Sequence, residues 1–382
     1  MNTTICRKEI YRSPTERIVI EELSRRQSPG PSGIQPALRG FNATNRVVLR
    51  SHLLIGKEQA MISNSLVVVA SFLALSVFSL PGRAHGESEC LQDGRPAISF
   101  VEFSSLDVSV QPPVALTIKG KLQFPQVRGG MAHCDYPRRM LPAVVILHGS
   151  AGVDFRGQFY AEALNAAGFA TLEIDMWEAR GVTGIANRPA LPILTYTDAF
   201  AALAYLSSQG DIDPSRIGVL GFSWGAVISL AAAEQLYASL FGGGLHFAAH
   251  VSNYPVCYGV NNTTIPALDP PAQKGAQFLV PTGAPILIQV GSDDGYDNGP
   301  EHCLELRDQI NAIHGPIIDV AVYEGATHAW DRLQVPTSAR DPFADEGSFF
   351  TTGVVPLVSI EPNVAMAYAS RRNAVRFFLD KL

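Results

Sequence analysis

The stretch Gly221–Gly225, with the sequence GFSWG, constrains this chain more than any other. It follows a strand-like run at 216–220 and precedes an alanine-rich, helix-like run at 226–236. A serine at such a junction sits on a sharp turn, and glycines flank it because side chains would clash there. The motif alone is a weak signal, and a serine that only caps the helix is the alternative. Its position between strand and helix nevertheless predicts a nucleophile elbow with Ser223 at the apex.

A carboxylate is expected downstream of this serine, because a serine nucleophile needs a histidine base and the base needs an acidic partner. The run 284–291 is typical of a buried parallel strand, and it leads directly into Asp293 and Asp294. Adjacent residues at a strand end point in opposite directions, so only one of the two can face the serine. We favour Asp294 as the acid, with Asp293 as the alternative.

The histidine is expected in the loop after the next strand, predicted at 318–323. That loop carries His328, which would lie at the same carboxyl edge of the sheet, where open α/β sheets bind their ligands. The other histidines fall in the leader, before the core sheet, beside a middle strand or in a helical segment. We therefore predict Ser223, Asp294 and His328 as the catalytic residues.

An oxyanion hole is the third requirement of acyl transfer by serine. The strand predicted at 143–147 ends in a glycine-bearing loop, His148–Gly152. The backbone N–H groups of Ser150 in that loop and of Trp224 after the serine would form the hole, and His148 would orient the loop. The loop lacks the G-K-[ST] ending of a phosphate-binding loop.

Three segments together resemble the dienelactone hydrolase family of α/β-hydrolases: the GFSWG elbow, Gly291–Asp294 (GSDD) and Tyr323–Trp330 (YEGATHAW). The family's aspartate three residues after the glycine supports Asp294. Founding members carry a cysteine nucleophile and an oxyanion-loop glutamate, where this chain has Ser223 and Gly149. The resemblance implies an α/β-hydrolase fold, with a mainly parallel doubly wound sheet and helices on both faces, and a serine enzyme acting on esters or lactones.

The resemblance also implies a role for Arg332, four residues after His328, because the family residue at that spacing helps bind a substrate carboxylate. The alternative is that Arg332 pairs with Asp331 or with solvent. Aromatic side chains are further candidates for the pocket lining, although core packing explains aromatics equally well. These are Trp177, Tyr296 and Trp330, beside Trp224.

The predicted activity is cleavage of a small carboxylic ester or lactone through an acyl-enzyme. A peptidase or acylaminopeptidase of the prolyl oligopeptidase type shares the triad order, but the printed sequence shows no propeller before the elbow. A noncatalytic binding protein of the same fold would not need all three catalytic residues. We expect no cofactor and no metal, and the net charge of −6 argues against nucleic acid as a partner. The sequence does not specify the oligomeric state.

The first 86 residues differ from the rest of the chain. Residues 1–60 are rich in Lys and Arg and suggest a non-structural extension or a misassigned start. Residues 61–86 resemble a signal peptide, with an uncharged run at 66–80 that is too short for a comfortable membrane span and small residues that suit cleavage after it. This predicts a periplasmic or secreted protein with no stable membrane partner and one mature domain, 87–382.

Four cysteines fall in that mature domain, an even number that suits two disulfides after export. Three pairings are possible, and the simplest joins Cys90 to Cys134 and Cys257 to Cys303. No C-x-x-C or His/Cys cluster suggests a metal site.

Alternating and apolar patterns predict eight strands and a closing helix at 363–381 that begins near Asn363. The strands are expected at 98–103, 116–124, 144–147, 169–174, 217–220, 247–254, 286–290 and 318–322. Val364, Tyr368, Val375 and Phe378 are expected on the buried face of the helix. Two segments, 258–282 and 331–360, exceed a minimal fold and suggest a partial lid over the site.

Overall fold

The computed structural model describes residues 97–125, 140–261 and 280–382. The predicted extension at 1–60 and the predicted signal peptide at 61–86 lie outside these residues. So do Cys90 and Cys134, and most of the segment 258–282. Within the described ranges, none of the helices combines the length and hydropathy that crossing a bilayer requires.

Eight strands form one sheet in the order β1-β2-β4-β3-β5-β6-β7-β8. Their bounds are β1 Ile98–Asp107, β2 Val114–Gln123, β3 Leu141–Leu147, β4 Ala170–Asp175, β5 Ile212–Phe222, β6 Ala249–Asn253, β7 Ile286–Gly291 and β8 Ile318–Tyr323. Strand β2 pairs antiparallel with β1 and β4, and the other neighbours are parallel. All eight predicted strands are present, and the topology confirms the predicted α/β-hydrolase fold.

Helices cover both faces of this sheet because its central strands are apolar on both sides. In β3, Val145 and Leu147 pack into one core cluster while Val144 and Ile146 pack into another. The helices are α1 Phe155–Ala166, α2 Tyr196–Ser207, α3 Trp224–Ala232, α4 Gln235–Phe241, α5 Cys257–Asn261, α6 Glu301–His314, α7 Phe349–Thr352 and α8 Val364–Lys381. Helices α2, α3 and α4 contribute to the first cluster, and α1 and α8 to the second.

The closing helix α8 begins as predicted, since the Asn363 side chain accepts a hydrogen bond from the Met366 N–H group at 3.1 Å. Its buried face was predicted only in part. Phe378 is buried, but Val364 is 60% exposed and Tyr368 is 42% exposed. The other buried residues are Ala367, Ser370, Ala374 and Phe377. Three of these have small side chains, which a search for large apolar residues does not find.

The segment 331–360 forms a small hairpin of its own. Strands β9 Thr337–Arg340 and β10 Leu357–Ile360 pair antiparallel in a separate two-stranded sheet. Asp341, Ala344 and Val358 are buried, and the last two pack in a cluster with Val256 of the segment before α5. The segment is thus folded and packs against the main domain near the predicted catalytic residues.

Candidate active site

Ser223 lies between the end of β5 and the start of α3, at the carboxyl edge of the sheet. Its backbone angles, φ 50° and ψ −109°, are ones that residues with side chains rarely adopt. The turn is tight because the helix begins at once and packs against β3. A Cβ atom on Gly225 would lie 2.3 Å from the carbonyl oxygen of Leu147. Local sterics therefore explain the glycines of the motif and push the serine side chain out of the turn.

A chain of hydrogen bonds joins the serine to a histidine and a carboxylate. The Nε2 atom of His328 lies 2.9 Å from Ser223 Oγ, and its Nδ1 atom lies 3.0 and 2.9 Å from the two oxygens of Asp294. The exposed fractions are 9% for the serine, 3% for the histidine and 2% for the aspartate. Because the Asp294 carboxylate can only accept a hydrogen bond, the Nδ1 atom of His328 carries the proton that is donated to it. The Nε2 atom of the neutral ring then has a free lone pair that can accept the proton of the serine hydroxyl.

Asp294, and not its neighbour, faces the histidine. Its Oδ1 atom also accepts a hydrogen bond from the Tyr296 N–H group at 2.9 Å. Asp293 turns toward solvent, where Ser292 Oγ donates to it at 2.8 Å. The opposite directions follow from the alternation of side chains at a strand end.

Two tyrosine rings pack against the imidazole of His328. The Tyr254 ring centroid lies 4.8 Å from it, and that of Tyr296 lies 4.0 Å away. Aromatic packing of this kind limits rotation of the histidine and keeps both its nitrogens aligned with their partners. The histidine is thus fixed by packing as well as by hydrogen bonds.

The loop after β3 is held by His148. Its Nε2 atom accepts a hydrogen bond from the Met176 N–H group at 3.0 Å, and its Nδ1 lies 2.8 Å from the carbonyl oxygen of Gly149. This arrangement needs the neutral ring with the proton on Nδ1. Burial lowers the pKa of His148 to about 4, which keeps it neutral. His148 therefore orients the loop that carries Ser150, as predicted from the sequence.

A small cavity opens beside Ser223. Ser150 and Trp224, the two residues predicted to supply the oxyanion hole, both line it. Trp224 is the first residue of α3, so its N–H group has no acceptor within the helix. The remaining apolar lining comes from Pro192, Val227, Val256 and Phe343. The cavity is thus small and largely apolar, with Ser223 in its wall.

Of the further pocket candidates, Tyr296 lines the cavity and the others lie elsewhere. Trp330 is fully buried, packs on Tyr323 in the core and donates a hydrogen bond to Ser370. Trp177 lies behind the oxyanion loop, where its indole donates to the Ser150 carbonyl at 3.2 Å. Both side chains therefore pack in the core, which was the alternative to pocket lining for these aromatic residues.

Arg332 also lies outside the cavity lining. Its Nε atom lies 3.3 Å from Asp154 Oδ2, so its charge is paired with a residue of the segment before α1. The partner is Asp154 and not Asp331, and the Arg332 side chain remains 23% exposed to solvent. Asp331 instead points into the core, where the hydroxyls of Tyr160 and Tyr254 donate to it at 2.8 and 2.6 Å.

The two charged side chains of the cavity lining were not predicted from the sequence. Arg188 follows the 3₁₀ turn Ile185–Asn187, and Asp341 follows β9. They form an ion pair at 2.9 Å although 153 positions separate them in the chain. The only signal in the sequence was indirect, since both belong to segments that follow strand ends at the site edge.

Cys257, Asp297 and Cys303 lie close enough together to hold a metal ion. Their chemistry does not fit one, because the two sulfur atoms are bonded to each other in the structure. The two Asp297 oxygens accept hydrogen bonds from the N–H groups of Cys257 and Tyr258 at 2.7 and 2.8 Å. The group is therefore a structural link between α5 and α6.

The site falls within a region that is shared with known proteins. The model of the Dienelactone hydrolase family matches residues 130–349, a range that includes Ser223, Asp294 and His328 and more than half of the sequence. The chain belongs to the dienelactone hydrolase family. An uncharacterized protein of Mycobacterium tuberculosis is 33% identical over 140 residues, which are 37% of this chain and 45% of that protein. The chain thus spans less than half of that relative's length.

Three further proteins are similar to this chain. A probable 2-oxo-3-(5-oxofuran-2-ylidene)propanoate lactonase of Bradyrhizobium sp. is 27% identical over 201 residues, 50% of this chain and 73% of that protein. A dienelactone hydrolase of Anabaena variabilis is 18% identical, with 75% and 100% of the two chains covered and a TM-score of 0.44. Esterase 2 of Thermogutta terrifontis is 14% identical, with 75% and 95% covered and a TM-score of 0.49.

Proposed function

We propose that this protein hydrolyses small carboxylic esters or lactones through a covalent acyl-enzyme, with Ser223 as nucleophile. The observation that carries the proposal is the continuous hydrogen-bonded chain from Ser223 Oγ through both nitrogens of His328 to Asp294. Membership of the dienelactone hydrolase family supports the reaction class. Buried, aligned and adjacent to an apolar cavity, the three residues have the arrangement that acyl transfer by serine requires.

In the first half-reaction, Ser223 Oγ attacks the ester carbonyl carbon while its proton passes to His328 Nε2. The imidazolium that forms is stabilised by the Asp294 carboxylate, which lies within 3.0 Å of Nδ1. The tetrahedral intermediate then collapses, and His328 returns the proton to the departing alkoxide. With an ester the alcohol leaves, whereas with a lactone it stays attached to the acyl group.

The oxyanion of that intermediate would be bound by the backbone N–H groups of Ser150 and Trp224. Both residues line the cavity with Ser223, and the two N–H groups come from rigid parts of the fold. One begins helix α3, and the other belongs to the loop that His148 holds through hydrogen bonds at both ring nitrogens. Donors fixed in advance stabilise developing charge without having to reorganise.

The second half-reaction uses the same groups in reverse. A water molecule takes the position of the alcohol, His328 Nε2 removes its proton, and the hydroxide attacks the acyl carbon. Collapse of the second intermediate returns the proton to Ser223 Oγ and releases the acid. The catalytic groups of both half-reactions are thus residues of this chain, and water is the second reactant.

Labelling by a fluorophosphonate probe tests the proposal directly. We expect modification of Ser223 in the wild type and no labelling of Ser223→Ala, which should lose about a million-fold in turnover of 4-nitrophenyl acetate. Ser215→Ala, an exposed serine of the same strand, is the matched control and should label normally. Labelling at another serine, or activity of Ser223→Ala above a few per cent, would exclude the assignment.

Amide substrates separate this proposal from a peptidase of the prolyl oligopeptidase type. We expect the specificity constant for a short anilide to fall far below that for the matched aryl ester. Comparable values for both would assign the protein to the peptidases. If neither substrate is cleaved and the probe does not react, the protein is a noncatalytic member of the fold.

We also propose that the protein is exported and that cleavage after Ala84 or Gly86 removes the preceding residues from the mature form. The bonded pair Cys257–Cys303 supports this, because disulfides persist mainly in oxidising compartments. Protein purified from its native host should begin at His85 or Glu87 in amino-terminal sequencing. A form that begins at Met1 and remains in the cytoplasm would contradict the proposal.

A further inference from the structure

An ion pair forms part of the cavity wall beside the nucleophile. The Nη2 atom of Arg188 lies 2.9 Å from Asp341 Oδ1, and the two side chains are 7% and 1% exposed. Both residues line the same cavity as Ser223. A buried pair of this kind is an unusual lining for a small apolar pocket, because each charge loses its hydration there.

The Asp341 carboxylate is fully engaged in this position. Besides Arg188, its Oδ1 accepts from the Phe343 N–H group at 3.0 Å, and its Oδ2 accepts from the Tyr296 hydroxyl at 3.0 Å. The carboxylate is therefore held as a fixed part of the wall. Tyr296 also links it to the proposed triad, since its own N–H group binds Asp294.

The Arg188 guanidinium also packs on two aromatic rings. Its central carbon lies 5.0 Å from the centroid of the Trp224 ring and 5.7 Å from that of the Phe343 ring. A guanidinium held in this way is well suited to bind a carboxylate. In this protein the carboxylate that it binds belongs to the chain itself.

The cation that lines the cavity is thus compensated internally, because Arg188 is paired with Asp341. Arg332 lies outside the lining and shares the Asp154 carboxylate with Arg156. An anionic substrate would have to lose its hydration, approach the Asp341 carboxylate and compete with it for Arg188. A neutral ester meets none of these costs. Electrostatics therefore favours uncharged substrates in this cavity.

We infer that Asp341 is a specificity-determining residue, which occupies Arg188 and thereby restricts the enzyme to neutral esters and lactones. The inference rests on the proposed function and adds to it the charge class of the substrate. Replacing Asp341 by a neutral residue should free Arg188 and convert the cavity into an anion-binding one.

The test compares two esters that differ only in charge: the mono(4-nitrophenyl) ester of adipic acid and its terminal primary amide. We expect wild-type kcat/KM to favour the amide by at least tenfold. Asp341→Asn should shift that ratio at least tenfold toward the acid, and Asp341→Asn combined with Arg188→Met should cancel the shift. An unchanged ratio in a folded Asp341→Asn protein, or a wild-type preference for the acid, would overturn the inference.

Asp198→Asn is the matched control. Asp198 forms an equally buried pair with Arg180 at 2.6 Å, with side chains 0% and 7% exposed, but neither lines the cavity. Its ratio of acid to amide should equal that of the wild type. A shift in this variant as large as that of Asp341→Asn would show that loss of a buried pair, and not the cavity charge, changes the ratio. If Asp341→Asn does not fold, Asp341→Ser provides the same loss of charge in a smaller side chain.

A binding measurement keeps the inference separate from the proposed function. Titration calorimetry with adipamic acid, the monoamide of adipic acid, which carries one negative charge and no ester bond, should show at least tenfold tighter binding to Asp341→Asn than to the wild type, even if neither ester is cleaved. Hydrolysis of the neutral ester without any shift in ratio or binding would refute this inference alone. A shift in binding without hydrolysis by any variant would refute the proposed function alone.

Discussion

The carbonyl oxygen of Gly225 lies 2.0 Å from the point that a Cβ atom on Gly221 would occupy. The clash is between backbone atoms of the turn and a side chain, so no rotamer change can relieve it. Gly221→Ala should therefore destabilise the protein by about 3 kcal/mol or more and displace Ser223. Urea unfolding and ester hydrolysis measure the two effects. Gly210→Ala, where a Cβ atom meets nothing within 4 Å, should change neither.

Neutralising the acid next to His328 should cost far more activity than neutralising its neighbour. Asp294→Asn is expected to lower kcat by about ten thousand-fold, because the amide no longer stabilises the imidazolium or fixes its tautomer. The Asp293 side chain accepts a hydrogen bond from the Ser292 hydroxyl and faces away from His328. Asp293→Asn should therefore retain nearly full activity. The measurement is kcat of both variants for the same aryl ester. If Asp293→Asn lowers kcat more than Asp294→Asn does, Asp293 is the acid.

The buried network around Asp331 should matter for stability more than for chemistry. Tyr254 donates its hydroxyl to Asp331 and accepts one hydrogen bond from Arg156 at 3.1 Å. Tyr254→Phe leaves both of those groups short of a partner and should lower the free energy of unfolding by about 2 to 3 kcal/mol. The ring contact with His328 remains, so kcat should fall less than tenfold. Tyr368→Phe, at a half-exposed ring, is the control and should leave stability nearly unchanged.

Acid should destabilise the fold through His250. Burial lowers the pKa of this ring to about 4, below the value of about 6.5 in an unfolded chain. Between these values the unfolded chain binds a proton that the folded protein does not, so stability is lost as the pH falls through that window. When the pH is lowered from 7.5 to 4.5, the free energy of unfolding measured in urea should decrease in both proteins. The decrease should be about 2 to 3 kcal/mol smaller for His250→Gln than for the wild type. Equal losses in both proteins would contradict the assignment.

Reduction of the disulfide should weaken the fold. Cys257 and Cys303 are separated by 46 positions, and in the chain-entropy description closing such a loop stabilises the folded state by roughly 4 kcal/mol. The double variant Cys257→Ser with Cys303→Ser should show that loss in urea unfolding, with no further effect of a reducing agent. A wild type that is equally stable with and without reductant would argue against the bond in solution.

Much of the fold followed from local patterns. Strands such as β3 and β7 are apolar on both sides because helices cover both faces, and this gives short runs that stand out in the sequence. Ser223 and His328 were found because an elbow and a strand-end loop each carry a local signature. For Asp294, the direction of side chains at the strand end could be resolved only once the strand was placed.

The wall of the cavity could not be predicted in the same way. Arg188 and Asp341 meet across 153 positions, and each alone is an ordinary charged residue in a loop. An aromatic residue such as Trp330 is equally compatible with a pocket lining and with a core. Trp330 is buried because α8 packs against the turn that carries it. Properties that depend on which distant segments meet are set by tertiary packing and leave no local pattern.

The hairpin β9–β10 pairs only with itself, so its backbone hydrogen bonds place no demand on the register of the eight-stranded sheet. The length and sequence of the hairpin are therefore not constrained by the strand pairing that precedes Ser223. Asp341 and Phe343 reach the cavity from the segment that the hairpin encloses, and Asp341 accepts a hydrogen bond from Tyr296. Grafting the corresponding segment of a homologue that keeps this contact is thus a route to new substrates within the same sheet.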